Sequence, residues 1–133
     1  MNKHLTEIRK KIVATLAADG NNGPLLVRLA WQCASTYRST DFLGGCNGAR
    51  VFQSPERTWP ANAGLDKAQQ LLAQIKAGGD GKYTADHITW ADLIVLAGGV
   101  ALEEAGSHKI PFCPGRTDAV ADGNSTTLLV PGR

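Results

Sequence analysis

The chain has few aromatic or sulfur-bearing residues: two Tyr, three Phe, three Trp, three Cys and one Met among 133 residues. Cys33, Cys46 and Cys113 lack the spacing of a zinc site or a CxxC redox pair. They are expected to be buried or incidental thiols acting as small apolar residues. One disulfide among them stays open, with nothing to choose the pair, as does redox work by Cys46 or Cys113 on flexible segments. An excess of one charge is also missing. The net charge is +2, with both signs interspersed, so there is no electrostatic footprint for nucleic acid or anionic lipid. No apolar run approaches the roughly 18 residues needed to span a bilayer. The opening Met1-Asn2-Lys3-His4-Leu5-Thr6-Glu7 does not read as a secretory signal. Histidine is scarce too: His4, His87 and His108 are each expected as surface or capping residues.

What is present reads as one all-α domain of adequate size for a core without obligatory staples. Leu5, Ile8, Ile12, Val13 and Leu16 share one face of a helix from about Leu5 to Ala18. Asp19-Gly20-Asn21-Asn22-Gly23 ends it, and Pro24 suits the first turn of the next helix, roughly Pro24 to Tyr37. That helix is apolar on most of its circumference, which predicts burial. Arg28 inside it then needs a carboxylate, carbonyls or a cavity. Trp31 is expected in the core, with its indole N–H seeking an acceptor. From Ser39 to Asn62 the chain reads as a long irregular connection, punctuated by Gly44-Gly45, Gly48, Pro55 and Pro60. A helix follows from about Gly64 to Ala77, stopped by Gly78-Gly79-Asp80-Gly81. The last helix runs from Thr89 or Trp90 to Ala105, with Thr89 as N-cap and Gly106 as the C′ glycine. Its body is apolar throughout and belongs at the centre of the fold, with Gly98-Gly99 allowing a neighbouring helix to approach. The helical domain is placed at 1–118 and an extended tail at 119–133.

Pro24-Leu25-Leu26-Val27-Arg28-Leu29-Ala30-Trp31 is similar to the distal haem-pocket helix of the class I haem peroxidases, which include ascorbate peroxidases and catalase-peroxidases, and further blocks follow in that family's order. Gly44-Gly45-Cys46-Asn47-Gly48-Ala49-Arg50 resembles the segment that follows it. Trp59-Pro60-Ala61-Asn62-Ala63-Gly64 looks like the next block, Trp90-Ala91-Asp92-Leu93 the central helix, and Pro111-Phe112-Cys113-Pro114-Gly115-Arg116-Thr117-Asp118 the loop beyond. The implied fold is a helical haem-peroxidase-like fold, distal half only, with long irregular loops.

The resemblance departs from the family at the reacting position. A His follows the Trp in that family, and here it is Gln32. An imidazole relays a proton between peroxide oxygens, a contribution of about 10²–10⁴-fold, whereas a carboxamide has no useful basicity. The family's iron-ligating His lies in a proximal half with no counterpart here. Arg28, Trp31, Gln32 and Asn62 therefore read as a vestigial distal site, in which Gln32 accepts the Asn62 amide hydrogen. Asp19-Gly20-Asn21-Asn22-Gly23 also lacks the Lys and Cys that ascorbate peroxidases carry before this helix.

Two functions follow from the resemblance. The first is a haem-free, non-catalytic structural or accessory subunit, whose apolar face is covered by a protein partner. That partner would be a homo-oligomer mate or a multi-subunit membrane-associated complex, photosynthetic among the candidates. Ala34-Ser35-Thr36-Tyr37-Arg38 and Gly45-Cys46-Asn47-Gly48-Ala49-Arg50 favour it, resembling the haem-free carboxy-terminal domain of catalase-peroxidases. The second is a divergent haem peroxidase reducing hydrogen peroxide, its proximal ligand supplied by another chain or a missing segment. Neither involves nucleic acid or a metal site within the chain. The expected location is soluble, and a plastid or thylakoid lumen if a targeting segment has been removed.

Overall fold

A computed structural model describes residues 3–52, 57, 59–77 and 88–119. Pro55, the 78–81 stop, His87 and most of the 119–133 tail lie outside the described residues. Four α-helices are present among the rest: α1 (Lys3–Ala18), α2 (Asn22–Ala34), α3 (Asp66–Ala77) and α4 (Trp90–Glu104). Short 3₁₀ turns at Arg50–Phe52 and Pro60–Asn62 interrupt the connection between α2 and α3. The one β-type pairing among the described residues is an isolated parallel bridge between Gly48 and Asp118. The all-α class therefore holds.

Leu5, Ile8 and Ile12 bury one stripe of α1, as their spacing requires, while Val13 at the edge of that stripe is exposed. Pro24 falls in the first turn of α2, where a missing backbone N–H costs nothing. The helix stops at Ala34 rather than Tyr37. Ser35 N–H still donates to the Trp31 carbonyl, but Tyr37 N–H bonds the Ala34 carbonyl and the chain turns away.

α4 is the central element. Leu93, Ile94, Leu96, Ala97, Val100 and Ala101 are all buried, and α4 packs against both α2 and α1. Its ends are set locally. Thr89 Oγ1 accepts from the Asp92 N–H at 3.1 Å, satisfying an N-terminal donor. At the other end Gly106 (φ 113°) reverses the chain, its N–H bonding the Glu103 carbonyl while Ser107 N–H bonds the Leu102 carbonyl. That pair of bonds is a Schellman stop.

Gly98 gives α2 its close approach, because a Cβ there would stand 2.4 Å from the Ala30 Cβ. Gly99 has room, with Ile110 Cγ2 at 4.0 Å from such a Cβ. Gly98→Ala is expected to lose about 2 kcal/mol in a denaturant titration, overpacking outweighing alanine's better helix propensity. Gly99→Ala, lacking that clash, is expected to be neutral or slightly stabilising in the same titration.

Candidate functional site

Each residue of the expected distal site can be placed. Arg28 is half-buried on α2, and its Nη2 donates to the carbonyls of Ala61 (2.9 Å) and Ala63 (2.7 Å). Of the partners open to Arg28, carbonyls are the ones it has. They flank Asn62, which is buried at the end of the 3₁₀ turn. The turn itself is held by Asn62 N–H to the Trp59 carbonyl at 2.9 Å. Gly64 (φ 83°) then lets the chain swing into α3.

Gln32 is half-buried, and no hydrogen bond joins it to Asn62 among the described residues. The expected Gln32–Asn62 pair is thus corrected. Arg28 holds the 61–63 turn through its long side chain, and Gln32 lies four residues further along α2, a rise of about 6 Å along the axis.

Trp31 is not a core residue. It is 67% exposed, against the expectation of a buried indole. The reason is the Gly98 contact: Ala30 meets α4 directly, and the next residue round the helix falls outside the α2–α4 seam. Trp31 instead borders an open groove of about 260 Å³, lined also by Val27, Ala30, Val95, Leu102 and Ile110. Leu102 on its far side is 42% exposed. The helix that looked apolar all round therefore buries Leu26, Leu29 and Cys33 and leaves a second apolar face that the other described residues do not cover.

A second correction concerns the cysteines. Cys33 and Cys46 form a disulfide, while Cys113 is free and exposed. The irregular spacing hid this pairing, since contact depends on how the 35–49 loop folds back on α2.

Sequence reading also missed an anchor at the start of α4. Asp118 accepts the N–H groups of Trp90 and Ala91 through its two carboxylate oxygens, both at 2.9 Å. Asp92 reaches the opposite way, accepting from Gly115 N–H (2.9 Å), Arg116 N–H (3.2 Å) and Arg116 Nη1 (3.0 Å). Thr89 Oγ1 adds a bond to the Arg116 carbonyl at 2.9 Å. Two carboxylates thus lock the 113–118 segment to a helix N-terminus, where negative charge is favoured. The Thr89-x-x-Asp92 cap was the one local sign of this anchor; its distant partners had none.

The same blocks that built this geometry connect the chain to known proteins. The peroxidase family model matches residues 8–131. The chain belongs to the peroxidase family. Catalase-peroxidase 2 of Legionella pneumophila (strain Lens) is 50% identical over 100 residues, covering 75% of this chain and 13% of that protein. A catalase-peroxidase of Nocardia farcinica is 46% identical over 99 residues, 74% of this chain and 13% of its own length. One from Natronomonas pharaonis is 46% identical over 106 residues, 80% and 14% respectively. This peroxidase-family chain therefore spans a small part of the length of those relatives.

Whether the family's haem suits these residues is tested by the donor set. The residues lining the α2–α4 groove carry no imidazole, thiolate or phenolate to hold iron. His108 is exposed on the segment after α4, the side chain of His4 lies outside the described residues, and so does His87. The groove lining itself therefore offers no axial ligand. No described helix is long and apolar enough to cross a membrane.

Proposed function

We propose that this member of the peroxidase family is a haem-free, non-catalytic chain that serves as a structural or accessory subunit, its α2–α4 groove covered by another protein surface. The observation that carries this reading is the fate of the distal constellation. Gln32 stands where a proton relay would be needed, Arg28 is engaged with two backbone carbonyls, and Trp31 faces an open apolar groove. With its Nη2 committed to carbonyls, the guanidinium has fewer donors left for a developing charge, and electrostatic stabilisation works only with donors directed at that charge.

The groove supplies the positive part of the argument. Exposed apolar surface that joins a large aromatic to small-residue helix faces is typical of a surface that meets another protein. An accessory role in a multi-subunit assembly, membrane-associated or not, needs such a face and no chemistry.

Two measurements test the reading. Titrating haem into the purified chain is expected to give no sharp Soret band, and adding peroxide no dye oxidation. A saturable Soret shift with turnover would instead establish a divergent peroxidase. Sedimentation of the isolated chain is expected to show concentration-dependent association through the uncovered groove. A strictly monomeric, cooperatively unfolding chain at high concentration would overturn the accessory-subunit reading.

A further inference from the structure

The disulfide between Cys33 and Cys46 joins the last turn of α2 to the loop that follows, 13 residues on. Both half-cystines are buried, at 2% and 3% exposure. The loop they close, together with the turn just beyond Cys46, has an unusual backbone. Phe42, Cys46 and Ala49 all take positive φ (61°, 70° and 53°), beside Gly44, Gly45 and Gly48. Residues with a Cβ stay in that region only where their surroundings over-determine it.

The loop's hydrogen bonds tie it largely to itself and to the α2 terminus. Arg38 N–H bonds the Leu43 carbonyl and Phe42 N–H the Arg38 carbonyl, each at 2.8 Å. Gly45 N–H donates to Thr36 Oγ1 at 3.3 Å, and Thr36 Oγ1 to the Cys33 carbonyl at 3.2 Å. Phe42 and Tyr37 point outward, 75% and 52% exposed, so they add little burial to hold the loop in place. The covalent bond is the strongest link between the loop's far end and α2.

We propose that the Cys33–Cys46 bond is an oxidatively installed staple that sets the 35–49 loop, and that the chain accordingly matures in an oxidising compartment. Forming it breaks two S–H bonds and makes one S–S bond. The two electrons and two protons pass to the disulfide of a thiol–disulfide exchange oxidant, which leaves as a dithiol. Once the sulfurs are buried, a soluble reductant has little access to them, which is the behaviour of a structural disulfide. Such bonds form and persist where thiols are not kept reduced. The inference stands independently of whether haem is bound.

The test starts with the protein isolated from its source in an alkylating reagent and full denaturant without reductant, so that every free thiol reacts. One alkyl group, on Cys113, is expected. Three would overturn the proposal. Reduction by a dithiol in mild denaturant, followed by blocking, is expected to lower the melting temperature by about 10 °C. It should also speed tryptic cleavage after Arg38 by about tenfold, as local opening of the loop requires. The double variant Cys33→Ala/Cys46→Ala should reproduce both effects, and Cys113→Ser neither. A double variant with unchanged melting and unchanged protection at Arg38 would also sink the proposal. If that variant fails to fold, the alkylation count and the reduced wild-type chain still decide.

Discussion

Asp92→Ala is expected to destabilise the chain by about 3 kcal/mol, lowering its melting temperature by roughly 10 °C. The side chain is buried and accepts three hydrogen bonds, from Gly115 N–H, Arg116 N–H and Arg116 Nη1. Removing it leaves the Arg116 guanidinium, itself only partly exposed, without its carboxylate. An unpaired, partly desolvated charge costs more than the pair contributes. Asp92→Asn keeps an acceptor oxygen and should lose about half as much, so the two variants separate charge from hydrogen bonding. Asp118→Ala should cost about 1–2 kcal/mol, since the helix N-terminus it caps can be partly rehydrated. Differential scanning calorimetry on the three variants checks the order. If Asp92→Ala melted with the wild type, the anchor between α4 and the 113–118 segment would not be part of the stable fold.

Trp31→Glu is expected to weaken association through the α2–α4 groove by about 30- to 1,000-fold while leaving the melting temperature of the chain within a few degrees. Truncating a buried interface tryptophan commonly costs about 2–4 kcal/mol, and an added carboxylate in an apolar contact adds desolvation. The fold itself loses little, because the indole is 67% exposed in the isolated chain. The two readouts must separate. Sedimentation equilibrium reports association and thermal unfolding reports the fold. Loss of stability without loss of association would return Trp31 to the core. Unchanged association would move the contact surface elsewhere, and the groove would then have no role in the proposed accessory function.

Much of the fold was legible because it is written in local terms. Leu5, Ile8 and Ile12 recur at helical spacing, and they bury one side of α1. Thr89 and Gly106 are short-range caps whose partners lie within a few residues, so their roles follow from stereochemistry alone. Gly98 was legible as a point of close approach, though only the structure identifies Ala30 as what approaches. The candidate site was less legible. Arg28 had to find acceptors, but periodicity could not name the Ala61 and Ala63 carbonyls, 33 and 35 residues away. Trp31 was misread because an apolar helix pattern shows how many faces are greasy, not how many are covered.

The amino-acid order by itself determined the helical class and the limits of α4, which follow from side-chain chemistry and from spacings of a few residues. The family followed from the resemblance of whole blocks, matched over residues 8–131. Only the tertiary structure decided that Cys33 bonds Cys46, that Asp118 caps a helix 28 residues before it, and that Trp31 stands in an open groove. Those outcomes depend on which distant surfaces meet. Contact between remote segments is set by the packing of the whole chain, where loop closure and burial are balanced together.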